Sequence, residues 1–224
     1  MNKSEIAAII DHTTLGPASS LEEVEKVCQE ANEYGFAAVC VEPNYIGEAK
    51  KYLQDEHVKV DTVVGFPHGT HKPGVKAFEA QLAIEDGADE LDTVTDIAAL
   101  KKGDYEKVAR DISAVTEVAK DSARDIKVKV ILETGLLDEA EKKAGCIIAQ
   151  ASGADFVKTS TGFGPSGASV KDVELMRRVV SREIGVKAAG GIGDYETAMK
   201  MVEAGATRIG ASSGVEIVQD APSD

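Results

Sequence analysis

A single-domain α/β barrel of eight βα units, preceded by a short leading helix, is the fold this sequence predicts. Three observations predict it. Short apolar runs alternate with segments of helical periodicity along the whole chain, the pattern of a parallel sheet covered by helices. About eight such pairs can be counted, the number that closes a (β/α)8, or TIM, barrel. Three near-repeats, Asp86-Gly87-Ala88-Asp89, Ser152-Gly153-Ala154-Asp155 and Ala204-Gly205-Ala206-Thr207, each place a helix-ending glycine just before a strand. The 224 residues suit one undivided barrel, and no linker or composition break interrupts them, so one domain over 1–224 is expected.

After the leading helix, Ile9–Thr13 reads as the first strand. Ser19 and Ser20 offer N-caps for a helix through Leu21, Val24, Val27, Cys28 and Ala31, which stops near Gly35. The strand Phe36–Val41 ends before Pro43, and a helix around Tyr45–Leu53 leads to the strand Val58–Val64. Gly65-Phe66-Pro67-His68-Gly69 stops that strand. Helix Val75–Ile84, strand Glu90–Val94, helix Tyr105–Ala119 and strand Lys127–Leu132 follow. Helix Glu139–Ala151 then turns through Gly153 into the strand that ends at Lys158. Helix Val170–Val180, strand Gly185–Ala189, helix Tyr195–Val202, a short strand Gly205–Gly210 and a brief helix after Ser212 complete the chain.

Charge and cysteine usage narrow the function classes. A net charge of -14 and a pI near 4.8 argue against nucleic acid and anionic membranes as partners. No run of eighteen apolar residues occurs, and Met1–Ile6 lacks the apolar core of a signal peptide. Cys28, Cys40 and Cys146 are odd in number, widely spaced and set among apolar residues, as reduced core thiols are. A cytoplasmic protein is expected.

Barrel enzymes work at the C-terminal ends of their strands. Two of those ends carry lysine: Asp155-Phe-Val-Lys158-Thr-Ser-Thr161-Gly162, and Val186-Lys187-Ala-Ala-Gly190-Gly191. Each lysine alone reads most simply as a side chain reaching for water. The pair, in matching glycine-rich settings, points instead to a Schiff-base amine. A free lysine is neutral in only about one molecule in two to three thousand at pH 7. A second ammonium ~4 Å away is worth about 4 kcal/mol at an effective dielectric near 20, or roughly three pKa units toward the neutral form. Lys187 is therefore expected to activate Lys158.

Asp92, with two apolar residues near it on a strand that reads as otherwise buried, is the general acid/base candidate; its bland alternative is neutralising a barrel lysine. Asp11 and Thr13 at the first strand's exit are supporting candidates, as are Thr161 and Lys129, the last expected to pair with Glu133 or Asp92. Gly190, Gly191, Ser212 and Ser213 sit at the last two strand exits, where such barrels bind phosphate through backbone N–H groups, and Gly162 joins them. His68 and His71 lie in one loop with no Cys/His cluster to complete a metal site, so no metal is expected.

Lys158-Thr-Ser-Thr-Gly-Phe, Lys187-Ala-Ala-Gly-Gly-Ile and Asp89-Glu-Leu-Asp92 together resemble the deoxyribose-phosphate aldolase family. The resemblance runs nearly end to end, through Ile10–Thr13, Ala38–Val41, Val64–Pro67, Val128–Thr134 and Gly205–Gly210. It implies a class I aldolase without metal or other cofactor, which reversibly joins acetaldehyde to glyceraldehyde 3-phosphate to give 2-deoxyribose 5-phosphate. It places the Schiff-base lysine at Lys158, the second lysine at Lys187 and the proton-shuttling aspartate at Asp92. A homo-oligomer, dimer or higher, is expected. Gly16 and Gly193 stand where the family often has basic residues, and Asp96 where asparagine is common; the phosphate site should be less cationic than its relatives'. Another Schiff-base barrel enzyme and a non-catalytic sugar-phosphate binder are the rival readings; both lysines with Asp92 weigh against the second.

Overall fold

Eight parallel strands close on themselves in the order β1 to β8, each hydrogen-bonded to the next and β8 back to β1. In the computed structural model, which describes residues 1–54 and 56–223, β1 is Ile10–Thr14, β2 Ala38–Val41, β3 Lys59–Val64 and β4 Glu90–Val94. Strand β5 is Lys127–Ile131, β6 Phe156–Lys158, β7 Gly185–Ala189 and β8 Arg208–Ala211. Helices α1 (Lys3–Ala7), α2 (Leu21–Tyr34), α3 (Ile46–Tyr52), α4 (Pro73–Asp86) and α5 (Ile97–Lys101) belong to the first half. The second half carries α6 (Tyr105–Asp121), α7 (Glu139–Ala151), α8 (Val170–Val179), α9 (Tyr195–Glu203) and α10 (Gly214–Gln219).

The expected architecture is present, with shorter strands at two places. The second strand starts at Ala38, two residues late, and the last covers Arg208–Ala211. Helix α5 was not expected: Asp96, whose carboxylate accepts from the Ala99 N–H at 2.9 Å, caps it.

Local chemistry sets the element ends. Asn2, Ser20 and Asp138 form capping boxes with Glu5, Glu23 and Glu141, satisfying N–H groups that a helix start leaves free. The near-repeats have a second use at the strand starts. Asp89 accepts from the Val60 N–H at 3.0 Å, Asp155 from the Val128 N–H at 2.8 Å, and Thr207 from the Val186 N–H at 3.2 Å. Each repeat thus turns the chain at a glycine with positive φ and ties the new strand to the preceding one.

Outward strand residues such as Val39, Val60, Leu91, Val130, Val157 and Ile209 are buried against helix residues including Val24, Ala80, Val108, Ile112, Cys146 and Met176. Burying one such side chain contributes about 1.5–3 kcal/mol, and alanine on the helices lets them approach closely. The inward faces are different. From alternate strands come three stacked layers: Ala38, Glu90, Phe156 and Arg208; then Asp11, Asp61, Lys129 and Lys187; then Cys40, Asp92, Lys158 and Gly210. Branched aliphatic residues usually fill such layers. Here ionised groups do.

Candidate active site

The upper layer opens into a cavity of about 300 Å³ at the C-terminal ends of the strands. Lys158 is at its floor, with Thr13, Leu15 and Gly16 on one side and Thr161, Gly162 and Phe163 on another. Gly190, Gly191, Ile192, Ala211 and Ser212 form the rim beyond β7 and β8. The N–H groups of Gly190, Gly191, Ile192, Ser212 and Ser213 donate to no protein group among the described residues. Gly190 and Gly191 have φ of 87° and 77°, a left-handed conformation that a Cβ would strain. Ser213 lies just behind the rim, before α10, and does not line the cavity.

Beneath the floor the expected trio meets. The Lys158 ammonium donates to Asp92 Oδ2 at 2.6 Å, and Lys187 donates to the same oxygen at 2.7 Å. Lys187 is fully buried and does not reach the cavity. Lys187 was expected to act on Lys158 as a bare second ammonium; instead a carboxylate oxygen stands between the two and offsets their repulsion.

Lys187 has three carboxylate partners, Asp11 at 2.5 Å, Asp61 at 3.0 Å and Asp92 at 2.7 Å. Burial alone would lower its pKa, but those three carboxylates raise it well above the ordinary lysine value. Lys129 behaves alike, lying within 3.0 Å of Asp61, Glu90 and Asp92 and 3.7 Å from Asp11. Burial opposes its charge, and the carboxylates of Asp61, Asp92 and Glu90 push its pKa upward. Its expected partner Asp92 is there. Glu133 is not, because its Oε2 is taken by Thr161, through the N–H at 3.2 Å and the hydroxyl at 2.5 Å.

Asp92 is buried, which favours its neutral form, but Lys129, Lys158 and Lys187 hold its pKa well below the carboxylate range. Asp11 is also held low: burial raises it, while Lys187, Arg208 and Lys129 more than offset that. Thr13 donates its hydroxyl to the Asp11 carbonyl at 2.9 Å and presents its side chain at the cavity mouth. Arg208, at 2.6 Å from Asp11 and 3.0 Å from Glu90, closes the network below.

Sequence reading missed Asp61, Glu90 and Arg208 as interior groups, and the period-2 alternation that puts Asp92 inward also puts Glu90 inward. Glu133 adopts φ 58°, unusual for a residue with a side chain, and so turns its carboxylate back under the loop after β6. Two donor groups could suggest a metal: Cys40, Asp61 and Asp92, and Asp11, Asp61 and Glu90. The positive charge those carboxylates attract is supplied by Lys129, Lys187 and Arg208 at ion-pair distance. His71 is 3.8 Å from Glu79, away from this cluster.

The family model for DeoC/LacD family aldolases matches residues 6–220. The deoxyribose-phosphate aldolase of Thermococcus kodakarensis is 57% identical over 226 residues, covering 100% of both chains. That of Caldanaerobacter subterraneus is 54% identical, over 96% of this chain and 93% of its own. Among solved structures, the tetrameric deoxyribose phosphate aldolase from Aeropyrum pernix superposes with a TM-score of 0.88 at 35% identity, over 97% of this chain and 91% of that one.

Proposed function

Since the chain belongs to the DeoC/LacD aldolase family, we propose how its barrel performs the reaction of a deoxyribose-phosphate aldolase, cleaving 2-deoxyribose 5-phosphate reversibly to acetaldehyde and glyceraldehyde 3-phosphate. The hydrogen-bonded chain Lys158–Asp92–Lys187 at the cavity floor carries the reading.

Lys158 is the nucleophile. It alone of the three interior lysines opens on the cavity, and it has one carboxylate partner where the others have three or more. Its proton passes to Asp92, the neutral amine attacks C1 of the open-chain sugar, and water leaves to give an iminium ion. The Asp92 carboxylate, its proton given up to the departing water, takes the proton of the C3 hydroxyl, and the C2–C3 bond breaks with its electron pair moving into the iminium. Glyceraldehyde 3-phosphate departs, and the enamine left on Lys158 gains a proton at C2. Water then releases acetaldehyde. Asp92 and Lys187, through the oxygen they share with Lys158, hold and return the protons. The iminium is the electron sink, so the reaction calls for neither metal nor cofactor.

The free N–H groups at Gly190, Gly191, Ile192 and Ser212 hold the phosphate, with Gly162 lining the cavity opposite and Thr161 fixed by Glu133. Hydrogen bonds to a charged group are worth about 1.5–3 kcal/mol each, so such a rim can bind phosphate without the basic side chains absent at Gly16 and Gly193. Phosphorylated sugar should be clearly preferred over free 2-deoxyribose. Ser212→Asp, which sets a carboxylate against the phosphate, should lower kcat/KM for the phosphorylated sugar far more than for the free one. Equal losses on both would move the phosphate elsewhere.

The protein works as a homo-oligomer in the cytoplasm. Exposed Val75, Phe78 and Leu82 on α4 form an apolar stripe suited to a second copy, and three buried free thiols suit a reducing compartment. No helix among the described residues is long and apolar enough to cross a membrane.

A further inference from the structure

We infer that Asp61 is a positioning residue for this reaction, holding Lys187 as an ammonium ion and so leaving the nucleophile's role to Lys158. The inference rests on the reading above, in which Lys158 forms the imine. Asp61 is fully buried on β3, in the same inward layer as Asp11, Lys129 and Lys187. Its Oδ2 accepts from Lys187 at 3.0 Å and pairs with Lys129 at 2.9 Å, while Oδ1 is buried without a hydrogen-bond partner among the described residues. It touches no part of the cavity, so its effect must travel through a lysine.

The charged and titratable groups around it come from every strand: Asp11 on β1, Cys40 on β2, Glu90 and Asp92 on β4, Lys129 on β5, Lys158 on β6, Lys187 on β7 and Arg208 on β8. Four carboxylates thus face four cations. Without Asp61 the balance is lost at the two deepest lysines, each of which counts it among its carboxylates. A buried lysine with fewer anionic partners loses its proton more readily, and a neutral Lys187 would be a second amine and a poorer proton donor. Burial and the neighbouring Asp92 raise the Asp61 pKa from its ordinary value, whereas lysine and arginine charges hold Asp11 and Asp92 low.

The test is the pH profile of kcat/KM for 2-deoxyribose 5-phosphate cleavage in the wild type, Asp61→Asn and Asp61→Glu. Loss of one adjacent opposite charge shifts a pKa by roughly 1–3 units. The alkaline limb, where Lys187 loses its proton, should therefore move down by about that much in Asp61→Asn and stay near its wild-type position in Asp61→Glu. A lower rate with an unmoved limb in Asp61→Asn, or equal displacement in both variants, overturns the inference. Should Asp61→Asn not fold, NMR of wild-type protein carrying 13C at the lysine ε-carbons decides the matter. The Lys187 signal should keep its ammonium position beyond about pH 10.4, the ordinary lysine value, and titration below that overturns the inference. Borohydride trapping of wild type with acetaldehyde separates the role of Asp61 from that of Lys158. An adduct on Lys158 with an unmoved limb removes Asp61 alone; an adduct elsewhere removes the reading beneath it.

Discussion

Outward, β4 gives Leu91 to the helices; inward, it gives Glu90 and Asp92 to a cluster of lysines and an arginine. The same contrast runs round the barrel. The outer interface is apolar and gains by removing surface from water, with no demand on charge. The inner layers hold at least eight ionised groups away from water, an arrangement that costs desolvation and stabilises only while every partner is in place. A barrel needs the first to fold. The second has no such necessity, and its alignment under one cavity is what the proposed chemistry draws on.

Adjacent residues on β4 offer the sharpest way to break this division. Asp92→Asn keeps shape and removes the charge that Lys129, Lys158 and Lys187 share, and kcat should fall about 10²–10⁴-fold, the range for a lost acid–base group. Its stability should also respond to acid differently. Because the folded-state pKa of Asp92 is depressed, its contribution is present above the unfolded value near pH 4 and is lost as pH falls toward the folded value. Denaturant melts between about pH 4 and pH 2 should show the wild type losing that part and the variant lacking it. Leu91→Ala, one residue away and facing outward, should cost about 2–5 kcal/mol of unfolding free energy while kcat changes by no more than a few-fold. A large kcat loss in Leu91→Ala, or none in Asp92→Asn, would erase the distinction between the two faces.

The outer face was the more legible in sequence. Helical spacing, the Ser20 cap and the Gly87, Gly153 and Gly205 turns are local signals, and eight units followed from them. Of the site, Lys158, Lys187 and Asp92 stood out because a charge in an apolar run is costly without a partner. What they did to one another was not legible. The sharing of one Asp92 oxygen depends on strand stagger around a closed barrel, which no local pattern encodes. Asp61 and Arg208 lie on short strands buried on both faces, where alternation gives no polar-out marker to say which way they point. Lys129 was expected to choose between Asp92 and Glu133. The left-handed backbone at Glu133, which sends its carboxylate to Thr161, is invisible in residue types alone.

On the proposed reading, Lys158 alone among the interior lysines reacts, because it faces the cavity with a single carboxylate partner among the described residues. Reduction of the protein with borohydride in the presence of acetaldehyde, followed by peptide mass mapping, tests it most directly. One ethyl group is expected, on the peptide carrying Lys158, and none on those carrying Lys129 or Lys187. An ethyl group on Lys187 or Lys129, or no adduct at all in active protein, would contradict it.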